Sequence, residues 1–184
     1  MNKILYPCLM LINLALITRI GAETMILDDF NSNTHSQWSY VSDQVMGGVS
    51  QGGLVFESNQ FETYAQLSGQ VSTLNNGGFI QFRTDVTDKS KSSYKGIYAK
   101  VKGNNQKYFI HLRTRGTIMP WQYYQSDFIA DDKWQVIKLP MSSFVPSSKW
   151  LKNRIESKHI RSLGLVAFGR DHSADLMVSE IGFY

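Results

Sequence analysis

The sequence predicts one all-β domain, built as an antiparallel sandwich or barrel. Clusters of turn-forming residues recur about every ten positions after Glu23, and short aromatic and β-branched stretches lie between them. Two of those stretches alternate apolar and polar residues strictly, as half-buried strands do. A chain of 184 residues is long enough for one core, and no linker or repeat divides it. The turn clusters are 31–35, 47–53, 75–78, 87–93, 103–106 and 146–148.

Residues 1–22 are predicted to be a secretory signal peptide. Lys3 supplies the positive charge at the start, and Ile20-Gly21-Ala22 suits signal cleavage. The apolar run 4–17 is shorter than the roughly 20 residues that cross a bilayer. The alternative is a retained membrane anchor or a core strand. We therefore expect a domain at 23–184, exported to the periplasm or the extracellular space.

The alternating stretches predict neighbouring strands at 97–102 and 108–113. Apolar residues occupy the odd positions of the first and the even positions of the second. Their connection, 103–106, contains Gly and Asn, which suit a hairpin. Residues 151–159 have the spacing of a short helix. Further strands are predicted at 62–67, 79–84, 134–139, 163–168 and 175–183.

Composition excludes several function classes. A charged fraction of 18% argues against a coiled coil, and the only cysteine, Cys8, cannot form an internal disulfide or a cysteine-based zinc site. The net charge of +4 is too small for bulk attraction to nucleic acid. We expect no nucleic-acid partner, because lysines also protect exposed strand edges from aggregation. The lysines in question are Lys89, Lys91, Lys95, Lys100, Lys102 and Lys107.

No catalytic residue is expected. Residues 48–52 match the G-x-S-x-G nucleophile motif around Ser50, but strand-forming residues follow where that motif needs a helix. The adjacent Asp171 and His172 would point to opposite faces of a strand.

No metal site or cofactor is expected either. The four histidines lack the spacing of metal ligands. The acid pairs at 28–29 and 131–132 could offer oxygen atoms to Ca²⁺, although such pairs more commonly stabilise turns.

Two glycine-rich loops carry the most distinctive residues. Double glycines occur where the backbone needs a positive φ or approaches a neighbour closely. The loops are predicted to be turns packed under one end of the sandwich, with Trp38 filling the core. Asp43 and Asn76 form a second possible binding cluster, but holding loop backbone is their favoured role. The loop residues are Trp38, Asp43, Met46, Gly47, Gly48, Ser50, Asn75, Asn76, Gly77 and Gly78.

These loops are followed by further ordered motifs. They are Tyr94…Gly96-Ile97 with Val101-Lys102-Gly103, then Tyr108 to Arg113-Thr114, then Trp134-Gln135-Val136 with Leu139-Pro140 and Phe144. Together, over about residues 28–183, the motifs resemble the complex I intermediate-associated protein 30 family. The resemblance implies a galactose-binding-like jelly-roll sandwich. Mitochondrial members are assembly factors for respiratory complex I (NADH:ubiquinone oxidoreductase), binding proteins and chaperones rather than enzymes. This chain is similar to a bacterial-type exported member.

The resemblance implies a non-catalytic domain that binds a protein partner, such as a subunit of a membrane complex. The alternative is an exported carbohydrate-binding module. Both functions would use the same surface of outward strand residues and loop aromatics, because arginine offers forked donors and aromatic rings offer flat contact area. The competing interpretation puts Trp121 and one tyrosine in the core and leaves the arginines solvated. The candidate residues are Arg83, His111, Arg113, Trp121, Tyr123 and Tyr124.

Overall fold

Two antiparallel sheets packed face to face form the protein. The computed structural model describes residues 24–31, 34–86 and 93–184. Within these ranges the regular structure consists of strands and short 3₁₀ turns, and no helix is long and apolar enough to cross a membrane. The strands are β1 (Met25–Asp28), β2 (Ser39–Ser42), β3 (Gln51–Ser58), β4 (Thr63–Val71), β5 (Phe79–Asp85), β6 (Gly96–Gly103), β7 (Gln106–Thr114), β8 (Tyr124–Ala130), β9 (Gln135–Pro140), β10 (Val145–Pro146), β11 (Ile160–Phe168) and β12 (His172–Phe183).

The order of the strands gives the jelly roll. The first sheet runs β3-β4-β12-β6-β9, with β1 beside the far end of β12. The second sheet runs β10-β8-β7-β11-β5-β2. Most connections pass from one sheet to the other, so sequence neighbours rarely pair. The all-β jelly-roll prediction is confirmed.

The core lies between the sheets and follows the alternation of each strand. From the second sheet, Phe82, Ile110 and Leu165 are fully buried, and Leu67 and Val178 meet them from the first. Complete burial of each such side chain contributes about 1.5–3 kcal/mol.

Trp38 also belongs to the core, and Asp28 beneath it has a structural role. The Asp28 carboxylate accepts hydrogen bonds from Trp38 Nε1 (2.6 Å), Thr34 Oγ1 (2.7 Å) and Phe30 N (2.7 Å). Its oxygens are thus committed within the fold. No cluster of three or more metal-binding side chains occurs in the described ranges.

Several predicted elements need correction, while others are confirmed. Strands occur at all five further predicted positions. The predicted hairpin at 97–113 is wrong, because β6 lies in the first sheet and β7 in the second. The helix predicted at 151–159 is absent, and only a 3₁₀ turn, Ser157–His159, forms there. The predicted signal peptide and Cys8 lie outside the described residues.

The carboxylate of Asp43 holds both glycine-rich loops. Asp43 is fully buried and accepts hydrogen bonds from Ser50 N (3.0 Å), Ser50 Oγ (2.5 Å), Gly78 N (2.6 Å) and Phe79 N (3.2 Å). Burial by itself raises the pKa of Asp43, but the donors from Gly78, Ser50 and Phe79 outweigh it and hold that pKa below the ordinary 3.8. The loops β2–β3 and β4–β5, both of which pass between the sheets, are thereby fastened together.

The glycines beside Asp43 explain the doubled motif. In each pair, one glycine has a left-handed backbone: φ is 91° at Gly47 and 127° at Gly78. The other lies against the carboxylate, so that a Cβ on Gly48 would overlap Asp43 and one on Gly77 would lie 2.5 Å from its Oδ2. Each pair therefore combines the two reasons for which a chain requires glycine.

Candidate functional site

The outer face of the second sheet, the side turned away from the core, gathers most of the candidate residues. Because Phe82, Ile110 and Leu165 point inward, the alternate residues of β5, β7 and β11 point outward. The strip over β11 is called the trough below. It consists of Gln81, Arg83, Phe109, His111, Arg113, Ser162, Gly164 and Phe168, together with Gln125 of β8 beside His111.

Gly164 is buried at the middle of the trough. It is paired with Arg83 on one side and His111 on the other. A Cβ at Gly164 would meet Gln81 Oε1 at 3.0 Å and Arg83 Cβ at 3.5 Å, so a larger residue would fill the floor. From Phe109 to Arg113 the trough extends roughly 13 Å along β7.

One end of the trough is aromatic. The His111 ring stacks on Tyr123 with centroids 4.1 Å apart and planes at 13°. Phe168 meets Phe109 edge to face at 5.7 Å and His111 at 5.4 Å. An open depression of about 430 Å³ lies here, lined partly by Phe109, Phe168 and Arg170. These rings offer apolar surface at this end of the sheet.

The centre of the trough carries uncommitted hydrogen-bonding groups. His111 Nε2 and Gln125 Oε1 lie on neighbouring strands, are buried, and have no well-aligned partner among the described residues. Burial lowers the pKa of His111 to about 4, opposed in part by the Gln125 side chain. The imidazole is therefore neutral at pH 7. It offers one donor and one acceptor rather than a charge.

The other end of the trough is cationic. The Arg113 guanidinium donates through Nη2 to the backbone oxygens of Met119 (3.0 Å) and Thr117 (3.4 Å), which fixes its position. Its pKa is lowered by burial and by the nearby charges of Arg83 and Arg161. A second open depression, of about 340 Å³, lies beside Arg113, Arg115 and Arg161.

The predicted candidate residues divide into three groups. Arg83, His111 and Arg113 lie together on the outer face, and Tyr123 covers His111. Trp121 is 65% exposed on the β7–β8 connection, at the margin of that face. Tyr124 must be corrected: it is 3% exposed and packs in the core, because it follows Tyr123 on an alternating strand.

Four residues at or beside the trough were not predicted from the sequence as candidate binding residues: Phe109, Gln125, Arg161 and Phe168. Phe109 shares the outward alternation of His111 and could have been found from it. The other three reach the trough only through the pairing of β8 and β11 with β7, which the sequence does not reveal.

Comparison with known proteins identifies the relationship of this chain. The family model described as complex I intermediate-associated protein 30 matches residues 28–177. The chain belongs to this family. A comparison with curated proteins gives no match.

Solved structures similar to this family member include carbohydrate-binding modules and agarases. The family 11 module of the cellulosomal cellulase Lic26A-Cel5E from Clostridium thermocellum has a TM-score of 0.70 at 16% identity, covering 89% of this chain and 95% of the module. A family 11 module from the same organism, in complex with a β-1,3-1,4-mixed-linked tetrasaccharide, has a TM-score of 0.69 at 16% identity, covering 87% and 94%. An exo-β-agarase matches at 0.57 and 9% identity over 86% of this chain and 25% of the agarase. These likenesses establish the fold.

The residues of the two glycine-rich loops lie away from the trough floor. Ser50 is fully buried, and its hydroxyl donates a hydrogen bond to Asp43 and accepts one from Ser72 N. Its hydroxyl is therefore enclosed by the loops it supports. Val45, Met46 and Leu74 at the tips of the loops are exposed.

Proposed function

We propose that this protein is a non-catalytic binding domain whose trough binds carbohydrate. The observation that carries the proposal is the combination, in the trough, of aromatic rings with a neutral polar pair, His111 and Gln125, whose Nε2 and Oε1 atoms have no well-aligned partner among the described residues. A ligand rich in hydroxyl groups could satisfy both, because each hydroxyl donates and accepts.

The neighbouring groups suit the same ligand. Sugar rings have apolar faces, and the edges of Phe109 and Phe168 with the Tyr123 ring provide apolar contact beside the polar centre. His111 is neutral at pH 7 and can bond a hydroxyl without desolvating a charge. The family 11 module in complex with a mixed-linked tetrasaccharide is an example of a domain with this fold that binds a glycan.

Titration against a glycan panel tests the proposal, with binding measured by calorimetry and by tryptophan fluorescence. We expect Tyr123→Ala to weaken binding at least tenfold, since it removes the ring stacked on His111. The matched control is Tyr64→Ala, because Tyr64 lies on the outer face of the first sheet against Trp134. Equal affinity of the two variants, or no glycan bound by the wild type, would contradict the proposal.

A protein partner is the second candidate. Family membership favours it, as does the exposure of Ile118 (82%), Trp121 (65%) and Trp150 (81%) in two adjacent loops. Ser147 joins those loops through hydrogen bonds with Tyr123 N and Trp121 O. Exposed apolar groups of this size commonly mark contact surfaces.

Cross-linking of the native protein in its cell, followed by mass spectrometry, tests the second candidate. Recovery of a membrane-complex subunit supports an assembly role, and recovery of no membrane or envelope protein opposes it. Export is part of both candidates because residues 1–22 predict a secretory signal. Fractionation of cells that express the full chain tests export, and retention in the cytoplasm would contradict it.

A further inference from the structure

We infer that two copies of this protein associate through β3, whose free edges pair antiparallel across a two-fold axis. The pairing joins the first sheet of each copy into one continuous sheet. β3 is the last strand of that sheet and pairs only with β4 in the described part of the chain. In an antiparallel ladder, every second residue of such a strand turns its N–H and C=O away from its neighbour. On β3 these groups have no hydrogen-bond partner among the described residues.

β3 lacks the features that protect strand edges from pairing with another chain. Protected edges are short, or carry charges, prolines or bulges. β3 is eight residues long, contains no proline, and pairs with β4 without a register shift. Its only charged residue is Glu57. The other strands at the sheet ends differ, because β9 carries Lys138 and Pro140, β1 and β2 have four residues each, and β10 has two.

The position of β3 is fixed before a second copy arrives. Leu54 and Phe56 pack partly buried against the core, and the Phe56 ring stacks on His35 with centroids 4.0 Å apart and planes at 10°. Val55, between them, points away from the core and is 47% exposed. Association therefore avoids the entropic cost of ordering this strand.

The sequence around β3 is complementary to itself when Val55 lies on the two-fold axis. Residues equally distant from Val55 then face each other, so that Glu57 of one copy lies opposite Gly53 of the other and no like charges meet. The same register places the β3–β4 turn of one copy level with the β2–β3 loop of the other. An exposed apolar side chain lies at each place, Phe61 in the turn and Val49 in the loop. This match favours a second copy over a segment of another protein.

The pairing leaves the trough uncovered, because the trough lies on the outer face of the second sheet. Each dimer then carries two troughs. Two linked sites bind a repeating polymer more tightly than one site when the polymer reaches both. The pairing itself requires no ligand.

Sedimentation equilibrium tests the inference, with protein purified from cells that express the full chain. We expect the average mass to rise from one copy towards two between about 1 μM and 1 mM protein, a range that covers weak and strong association. Val55→Lys places two like charges opposite each other at the axis and should weaken association at least tenfold. The matched control is Val136→Lys, because Val136 is 58% exposed on β9, at the other end of the same sheet. The control should associate like the wild type.

Two further measurements locate the contact. An equimolar mixture of Val55→Lys and Val55→Glu should restore association, because opposite charges then face each other at the axis. Hydrogen exchange of the wild type requires no variant. Alternate amides of β3 should exchange at least tenfold more slowly at the highest protein concentration than at the lowest, whereas the amides of β9 should not change.

The possible results are distinct. A single copy at every concentration would overturn the inference and leave the β3 edge to a strand of another protein. A dimer that Val55→Lys leaves intact would overturn it as well, as would a mixture of the two charged variants that stays monomeric. Protection of β9 amides without protection of β3 amides would also contradict it. Glycan binding by the trough is measured separately, so these results leave the proposed function standing.

Discussion

Replacement of Asp43 by alanine is expected to destabilise the domain severely without touching the trough. The substitution removes the acceptor of four hydrogen bonds that fasten the β2–β3 and β4–β5 loops. It also leaves the N–H groups of Ser50 and Gly78 enclosed, since both residues are buried.

The magnitude follows from these donors. An unsatisfied buried donor costs about 1–3 kcal/mol, and hydrogen bonds to a charged acceptor lie at the stronger end of the usual range. Two enclosed backbone donors plus the lost hydroxyl contact give a loss of about 3–5 kcal/mol in the free energy of unfolding. For a domain of this size, that corresponds to a decrease in Tm of roughly 6–20 °C. Asp43→Asn, which keeps the shape and one acceptor oxygen, should lose less.

Urea denaturation followed by circular dichroism measures the change, with Asp127→Ala as the control. Asp127 also carries a carboxylate, but its side chain is 54% exposed and lies 3.3 Å from Lys107 Nζ, so its removal should cost at most about 0.5 kcal/mol. A loss below about 1 kcal/mol for Asp43→Ala would refute the role assigned to the carboxylate.

The lowered pKa of Asp43 predicts that the stability of the domain depends on pH. The unfolded chain binds this proton near pH 3.8, and the folded chain only at lower pH. The stabilisation is therefore complete above pH 3.8 and disappears as the pH falls through the folded-state pKa. Asp43→Asn should lack this decline.

Three further predictions concern Gly77, His111 and Gly164. Gly77→Ala places a Cβ 2.5 Å from Asp43 Oδ2 and should lower the free energy of unfolding, measured by urea denaturation, by about 1–3 kcal/mol. The control Gly53→Ala, which has open space around the added Cβ, should lower it by less than about 1 kcal/mol. The pKa of His111 is about 4 in the folded protein, against an ordinary 6.5 in the unfolded chain. The free energy of unfolding should therefore fall by about 2–3 kcal/mol as the pH decreases from 6.5 to 4. His111→Phe should flatten this pH dependence, and an unchanged slope would contradict the neutral buried imidazole. Gly164→Val should fill the trough and weaken glycan binding at least tenfold while changing the urea midpoint little; unchanged affinity would show that the ligand binds elsewhere.

The sequence was sufficient for properties that depend on local periodicity. The alternation of apolar and polar residues identified the strands and correctly predicted that Arg83, His111 and Arg113 lie on the outward side of their strands. It failed for the 97–113 hairpin, because a turn rich in Gly and Asn fits a tight reversal and a passage between sheets equally well. The partner of each strand is decided by distant residues.

The same limit explains the errors at the candidate site. Tyr123 and Tyr124 are adjacent in the sequence, and a shift of one residue in the pairing of a strand exchanges its two faces. Only the register of β8 with β7 therefore shows which of the two rings lies on the outer face of the sheet. Gly164 carries no side chain, so its residue type gives no indication in the sequence that it belongs to a binding site. Its importance comes from Arg83 and His111, which lie far from it along the chain and opposite it in the sheet.

The position of β12 has a consequence for how the protein is made. This strand lies between β4 and β6 and also pairs with β1, and its residue Phe183 is fully buried. The ribosome produces β12 after all the other strands described. The first sheet therefore cannot close until residue 183 has left the exit tunnel, a delay of several seconds after β4 at about 5–20 residues per second. Until then β4 and β6 lack the strand that lies between them in the finished sheet.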